Sequence, residues 1–153
     1  MGGNVEDVSH HRVSLDVSQK LACARLTRWT GGKGDFRCED QTQGCTIEAH
    51  NFQRDMAKYD ALNAVVLGVS LDTVEGHKAW CAKDTFSFKL LADPDHKVVD
   101  AYGVPVMTHG DMKYAARDTF LISPSGKIVK VWEKVDPNVH STDVLAEIAA
   151  NKK

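Results

Sequence analysis

A short apolar run between two helical patterns constrains the fold of this chain more than any other feature. Residues 64–70 read Ala-Val-Val-Leu-Gly-Val-Ser, and such a run is typical of a parallel strand covered on both faces. Before it, from about Thr46 to Leu62, apolar residues recur at steps of three and four, which predicts an amphipathic helix. After it, Asp72 and Glu75 have the spacing of an N-cap and a third helical position, so we expect a second helix to about Lys83.

The same alternation continues towards the C-terminus. Further predicted elements are a strand at Leu90-Leu91, a short helix from about Asp95 closed by Gly103, a hairpin of residues 119–122 and 127–132, and a final helix from about Ser141. Elements that alternate in this way and include a late hairpin predict an α/β domain of three layers with a mixed sheet.

The first 40 residues do not follow this pattern. The nearest strand candidate is Leu21 to Leu26, and Arg25 inside it is unfavourable in a buried strand. We therefore predict that residues 1–40 form a divergent or poorly ordered segment and that residues 41–153 form the folded domain. With 153 residues, the chain is long enough for one domain overall.

Composition and charge favour a protein that acts on small molecules. Hydrophobic residues make up 42% of the chain, charged residues 26%, and the formal net charge is −2, which gives no electrostatic reason to expect nucleic acid or an anionic membrane as a partner. No apolar run approaches the length of a membrane span, and the N-terminus carries acids and histidines instead of an apolar signal region. A cytoplasmic location is the expectation.

Four cysteines then become the main candidates for chemistry. Cys23, Cys38, Cys45 and Cys81 are in this setting either reduced thiols with a reaction to perform or buried apolar residues. Cys45 lies at the start of the first predicted helix, where unpaired backbone N–H groups and the helix dipole favour thiolate over thiol. Its alternative interpretation is a buried apolar cysteine.

A metal site is not predicted. The cysteines and histidines supply suitable ligands, but no zinc-type spacing occurs among them. His109 and His140 lie in polar stretches, and we expect both side chains to be solvated.

Five segments in order carry a family resemblance. They are Thr-Gln-Gly-Cys-Thr-Ile-Glu-Ala at residues 42–49, then LGVSLD, LLADPD, AYGV and finally RDTFLISPSGKI. In this order they resemble peroxiredoxin Q, also called bacterioferritin comigratory protein, of the AhpC/TSA family, over residues 41–148. The resemblance implies a thioredoxin-like fold and a thiol-dependent peroxidase, an antioxidant enzyme that reduces hydrogen peroxide and organic hydroperoxides through a cysteine sulfenic acid.

The resemblance also implies roles for individual residues. Cys45 would be the peroxidatic thiolate, and Thr42 would place its hydroxyl group against the peroxide and the sulfur. Arg117 would stabilise the thiolate and the leaving oxygen, and Glu48 would orient that arginine. Without the resemblance, Arg117 is a solvated charge at a strand edge and Glu48 an ordinary acid of a first helical turn.

A second thiol is needed to reduce the sulfenic acid. Many family members carry it at the position of His50 here, whereas others carry it on the following helix, where Cys81 lies. The resemblance implies that Cys81 is the resolving cysteine of a disulfide with Cys45; its alternative is a core residue on a stripe with Val74 and His77. A thioredoxin-like dithiol would regenerate the enzyme, and no cofactor is implied.

The N-terminal part departs from the family. Cys38 and Gln43 stand where the family has prolines, and the first 40 residues do not match its N-terminal hairpin and central strand. We expect these strands to be missing or altered, with a monomer or weak dimer as the assembly. The alternative function is a catalytically impaired member of the fold that acts as a thiol-containing binding or scaffold protein.

Overall fold

The computed structural model describes residues 5–7, 21–26, 43–125 and 127–151. Its strands are β1 (Val5–Asp7), β2 (Leu21–Leu26), β3 (Ala64–Ser70), β4 (Lys89–Ala92), β5 (Val106–His109), β6 (Met112–Ala115), β7 (Asp118–Ile122) and β8 (Ile128–Trp132). Its helices are α1 (Gln43–Ala61), α2 (Val74–Asp84), α3 (Lys97–Ala101) and α4 (His140–Asn151).

Six of the described strands form one mixed sheet in the order β1-β4-β3-β2-β7-β8. The pairs β1–β4, β3–β4 and β2–β3 are parallel, whereas β2–β7 and β7–β8 are antiparallel. This confirms the predicted α/β fold with a mixed sheet and the late hairpin. The separate hairpin of β5 and β6 was not predicted from the sequence.

The centre of the sheet is occupied by β2. Its backbone pairs from Leu21 to Leu26 with β3 and from Ala22 to Leu26 with β7. The central strand is therefore present, in the segment that was the nearest candidate, and the expectation of a missing strand is corrected on this point. The domain division at residue 40 stays a prediction.

Two apolar clusters cover the sheet. One joins side chains of α1, α2 and α4 to the sheet and includes Val66 of β3, and the other joins α3 and neighbouring segments to the sheet and includes Val69 of β3. Because residues separated by an odd number of positions in a strand face opposite sides, these two valines confirm that β3 is covered on both faces.

Helix α1 is fixed against the start of α4. The Tyr59 hydroxyl donates to the backbone oxygen of Ser141 at 2.8 Å, and the Ser141 hydroxyl donates to Asp55 at 2.9 Å. Asp55 is itself buried, and Arg54 beside it holds the pKa of that carboxyl group well below its usual range. These contacts define the position of α1 relative to the sheet, and with it the first turn that carries Cys45.

Two expectations from the sequence are wrong. The N-cap of α2 is Thr73, whose Oγ1 accepts a hydrogen bond from the backbone N–H of Gly76, instead of Asp72. His140 is buried, because the first turn of α4 faces β7 and its Nε2 lies 2.8 Å from the Thr119 hydroxyl. The side chain of His109 lies outside the described part of the structure.

Candidate active site

The first turn of α1 carries the proposed peroxidatic cysteine. The helix begins at Gln43, three residues earlier than predicted, so the backbone of Cys45 lies within its first turn. The N–H groups of that turn have no helical partners and point towards the helix N-terminus, where they favour an anionic sulfur. Thr42 lies outside the described residues, and its role stays a prediction.

A buried ion pair lies one helical turn further along α1. The Glu48 side chain is fully buried, and its Oε2 is 3.6 Å from Nη1 of Arg117, whose side chain is 23% exposed. Arg117 directly precedes β7, which lies beside the central strand β2. The family resemblance implies this pairing, and the structure brings the two residues together. Glu48 is thus not an ordinary exposed first-turn acid, nor is Arg117 a fully solvated charge.

This pair places a cationic group near the start of α1. A residue three positions after Cys45 lies on nearly the same face of the helix, and one turn advances the helix by about 5.4 Å. Through Glu48, the guanidinium is therefore held on the side of α1 that also carries Cys45. A partly exposed guanidinium at such a place can stabilise negative charge on a thiolate and on a departing oxygen.

Cys81 is a free thiol in the apolar interior. It is 7% exposed and belongs to the cluster that contains Ala49, one turn after Cys45 on α1. Burial raises the pKa of this thiol, and the nearby Asp84 carboxylate raises it further. The residue is thus a core residue, as its alternative interpretation states, and it shares its apolar cluster with the helix that carries Cys45. A buried protonated thiol is a weak nucleophile, so it must be uncovered before it reacts.

His50 lies beside the C-terminal end of α2. Its Nε2 is 3.9 Å from Oδ1 of Asp84, and its ring meets the Phe86 ring edge-on with 5.3 Å between centroids. The second turn of α1 therefore contacts the segment that follows Cys81. His50, at the position where the family resemblance places the resolving cysteine of other members, therefore lies near the end of the helix that carries Cys81.

A buried polar network at the other end of α2 was not predicted from the sequence. Ser70 Oγ donates to Oδ2 of Asp72 at 2.9 Å and lies 2.7 Å from Nε2 of His77. All three residues are buried, and burial lowers the pKa of His77 to about 4. A signal was available: a serine and an aspartate directly follow an apolar strand, and a histidine lies five positions further on.

Neither a metal site nor a membrane span is found in the described part of the chain. Its histidines, cysteines and acids do not come together in threes as a metal ion requires. None of its helices is both long and apolar enough to cross a bilayer. The prediction of an enzyme without metal or cofactor stays a prediction.

Comparisons with known proteins identify the family. Residues 35–131 match the model of the AhpC/TSA family. Peroxiredoxin Bcp of Xanthomonas campestris is 37% identical over 121 residues, which cover 77% of this chain and 76% of that protein. Peroxiredoxin Bcp of Bacillus subtilis is 35% identical over 113 residues, covering 72% of each.

Solved structures agree with these relatives. PrxQ of Xylella fastidiosa superposes with a TM-score of 0.75 at 28% identity, over 90% of this chain and 81% of that one. Bacterioferritin comigratory protein of Xanthomonas campestris, a protein described as having alkyl peroxide reduction activity, gives 0.74 at 30% identity over 88% and 80%.

Fold, site and relatives together define a thiol peroxidase with a thioredoxin-like fold. The chain belongs to the AhpC/TSA family, and within it to the peroxiredoxins of the Bcp or Q type. It is an oxidoreductase of the antioxidant class, with a peroxide as its substrate and a thioredoxin-type dithiol as its reductant. The comparisons support this function and not the alternative of an impaired scaffold protein.

Proposed function

We propose that the protein reduces hydrogen peroxide and organic hydroperoxides at Cys45, with Arg117 and Thr42 in contact with the peroxide and Glu48 as the residue that orients Arg117. The observation that carries this proposal is the buried Glu48 carboxylate paired with Arg117 one turn after Cys45. Because an unpaired carboxylate is costly to bury, this pair holds the guanidinium towards α1 before substrate arrives.

In the first step, the Cys45 thiolate attacks one oxygen of the peroxide ROOH. The S–O bond forms as the O–O bond breaks, and the sulfur is oxidised to a sulfenic acid while the peroxide is reduced. The departing RO⁻ takes up a proton and leaves as an alcohol or as water. Arg117 acts here because negative charge develops on this oxygen in the transition state.

In the second step, the Cys81 thiol condenses with the Cys45 sulfenic acid. The disulfide forms, one water molecule leaves, and a dithiol of the thioredoxin type then reduces the disulfide by exchange. The position of Cys81 in the same apolar cluster as Ala49 supports this assignment. Its burial and raised pKa mean that α2 must move before the second step.

The test is peroxide consumption by the purified protein with a thioredoxin system. We expect turnover to vanish in Cys45→Ser and to fall sharply in Cys81→Ser, whereas Cys23→Ser serves as the matched cysteine control and keeps wild-type turnover. After one equivalent of peroxide, non-reducing peptide mapping should show Cys45 linked to Cys81. A link from Cys45 to Cys23 or Cys38 would remove the resolving role from Cys81, and full turnover in Cys45→Ser would remove the whole assignment.

Assembly and location are further parts of the proposal. We propose a cytoplasmic monomer or weak dimer, and the balanced charge supports the proposal that it binds neither nucleic acid nor anionic membranes. Sedimentation equilibrium over a hundredfold range of concentration and fractionation of the source cells test these statements. A stable larger oligomer or recovery with membranes would contradict them.

A further inference from the structure

The docking of α2 depends on a small number of buried contacts. The helix has 11 residues, which is too short to be stable in water without tertiary contacts. Two of its side chains are buried, those of His77 and Cys81, one turn apart on the same face. Cys81 packs in the apolar cluster, and His77 enters the polar network with Ser70 and Asp72.

The hydrogen bonds within this network are mutually consistent. A hydroxyl group has one proton, and Ser70 gives it to Asp72. In the tautomer consistent with this, Nε2 of His77 carries the hydrogen and donates to Ser70 Oγ across the 2.7 Å contact. The backbone N–H of Asp72 donates to the same oxygen at 3.2 Å. The network thus ties the first half of α2 to the end of β3.

The other end of α2 is held differently. The helix is followed by Thr85, which adopts the left-handed conformation with φ 53° and whose N–H donates to the backbone oxygen of Cys81. A β-branched residue is strained in this conformation, and melting of the last turn relieves the strain. We therefore expect the end of α2 near Cys81 to unfold more readily than the end near His77, which the network holds.

Formation of the Cys45–Cys81 disulfide requires α2 to unfold at its Cys81 end, and the network at its His77 end opposes this. Once Cys81 leaves its cluster, His77 is the remaining fully buried side chain of α2, beside the partly buried Trp80, and a helix this short depends on such tertiary contacts. The network therefore either opens together with the helix or prevents the opening.

We propose that His77, held by Ser70 and Asp72, is a positioning residue that keeps α2 docked in the reduced enzyme. It thereby sets the rate at which Cys81 reaches the Cys45 sulfenic acid. It also sets the reduction potential of the resulting disulfide. This inference rests on the resolving role proposed for Cys81. Intact in the reduced form and open in the disulfide form, the network stabilises the reduced form selectively.

The test compares two buried histidines that differ in location. His77→Leu removes the network donor, and Ser70→Ala removes the hydroxyl group with a smaller change in volume. His140→Leu is the matched control, because His140 is equally buried and also contacts a hydroxyl group through Nε2, but it lies on α4. His77→Gln is the rescue variant, since its amide N–H can reach Ser70. Each protein is equilibrated with dithiothreitol redox buffers, and disulfide formation is timed separately from the peroxide step.

We expect His77→Leu and Ser70→Ala to favour the disulfide about tenfold, the equilibrium effect of losing roughly one buried hydrogen bond. For this two-electron couple a tenfold change lowers the potential by about 30 mV. Disulfide formation should accelerate by a similar factor, His77→Gln should return towards wild type, and His140→Leu should leave the potential unchanged although it lowers stability.

An unchanged potential in both His77→Leu and Ser70→Ala would overturn the inference. So would an equal shift in His140→Leu, because the effect would then reflect general destabilisation. If His77→Leu does not fold, Ser70→Ala decides alone. Peptide mapping of the wild-type protein comes first. Absence of the Cys45–Cys81 disulfide there would overturn the resolving role of Cys81 and this inference with it. Presence of the disulfide with unchanged reduction potentials in the variants would overturn the inference alone.

Discussion

The ion pair between Arg117 and Glu48 leads to a quantitative prediction, because the carboxylate is fully buried and the guanidinium is not. Arg117→Met removes the cation and keeps an unbranched apolar stem. Glu48 is then a buried carboxylate without the cation that lies 3.6 Å away in the native protein. Glu48→Gln, in contrast, removes the buried charge and keeps the shape of the side chain.

The magnitude follows from this geometry. Two unit charges 3.6 Å apart attract by about 4–5 kcal/mol at an effective dielectric constant near 20. Solvent at the partly exposed guanidinium screens some of this attraction, and the rest offsets the cost of burying Glu48. Removing the cation takes away this compensation, so we expect Arg117→Met to lower the free energy of unfolding by about 2–3 kcal/mol. Glu48→Gln removes both the attraction and the cost of burying the charge, and it should lower the free energy of unfolding by roughly 1 kcal/mol.

The assay is a double-mutant cycle on the reduced protein. Urea unfolding of the wild type, both single variants and the double variant gives the coupling energy, which we expect to be about 1–2 kcal/mol. Stopped-flow measurement of the peroxide step gives the functional counterpart. Its rate constant should fall at least about a hundredfold in Arg117→Met and about tenfold in Glu48→Gln, where the arginine remains but is less well oriented.

Two results would refute this reasoning. A coupling energy below about 0.5 kcal/mol, which is the usual error of additivity, would mean that the two charges do not stabilise each other. A wild-type peroxide rate constant in Arg117→Met would mean that the guanidinium does not act on the transition state. The two measurements are independent, so the structural and the catalytic statements can fail separately.

Two further predictions concern stability. The pKa of Asp55 is held below its usual range in the folded protein by Arg54; the stability it contributes is therefore present above about pH 4 and is lost as the pH falls. The difference in urea midpoint between wild type and Asp55→Asn should be constant above about pH 5 and should shrink as the pH falls below about 4, and a difference that does not shrink down to about pH 2 would contradict this assignment. Gly68→Ala places a Cβ atom 2.6 Å from Cδ2 of Leu90, so thermal unfolding should show a loss of about 1–3 kcal/mol. Gly76→Ala is its control, because the added Cβ would have ordinary contacts within a helix, and an equal loss there would show that the crowding at Leu90 is not the cause.

Local patterns identified most of the regular elements. The apolar run at residues 64–70 became β3 and the three-and-four spacing became α1, because hydrophobic periodicity reports directly which faces are buried. The strand β2 was harder to recognise. Six residues containing an arginine do not indicate a central strand by themselves, and their role appears only when β3 and β7 pair with both edges.

The missed features all depend on partners distant in sequence. His140 has polar neighbours along the chain, but tertiary packing buries it against Thr119 and the Phe52 ring. Ser70, Asp72 and His77 form no known motif, and their network exists because α2 returns to the end of β3. The choice of Thr73 over Asp72 as the N-cap follows from the same contact, since Ser70 already engages the Asp72 carboxylate.

The sequence by itself determined the class of fold, the family and the cysteine at the start of α1, because periodicity and a motif of adjacent residues are local properties of the chain. Only the tertiary structure decided that Glu48 is fully buried against Arg117 and that Cys81 is a buried thiol in the same apolar cluster as residues of α1. Burial and charge pairing depend on which elements pack together, and they decide which groups are ionised, which are covered and which must move for the reaction to proceed.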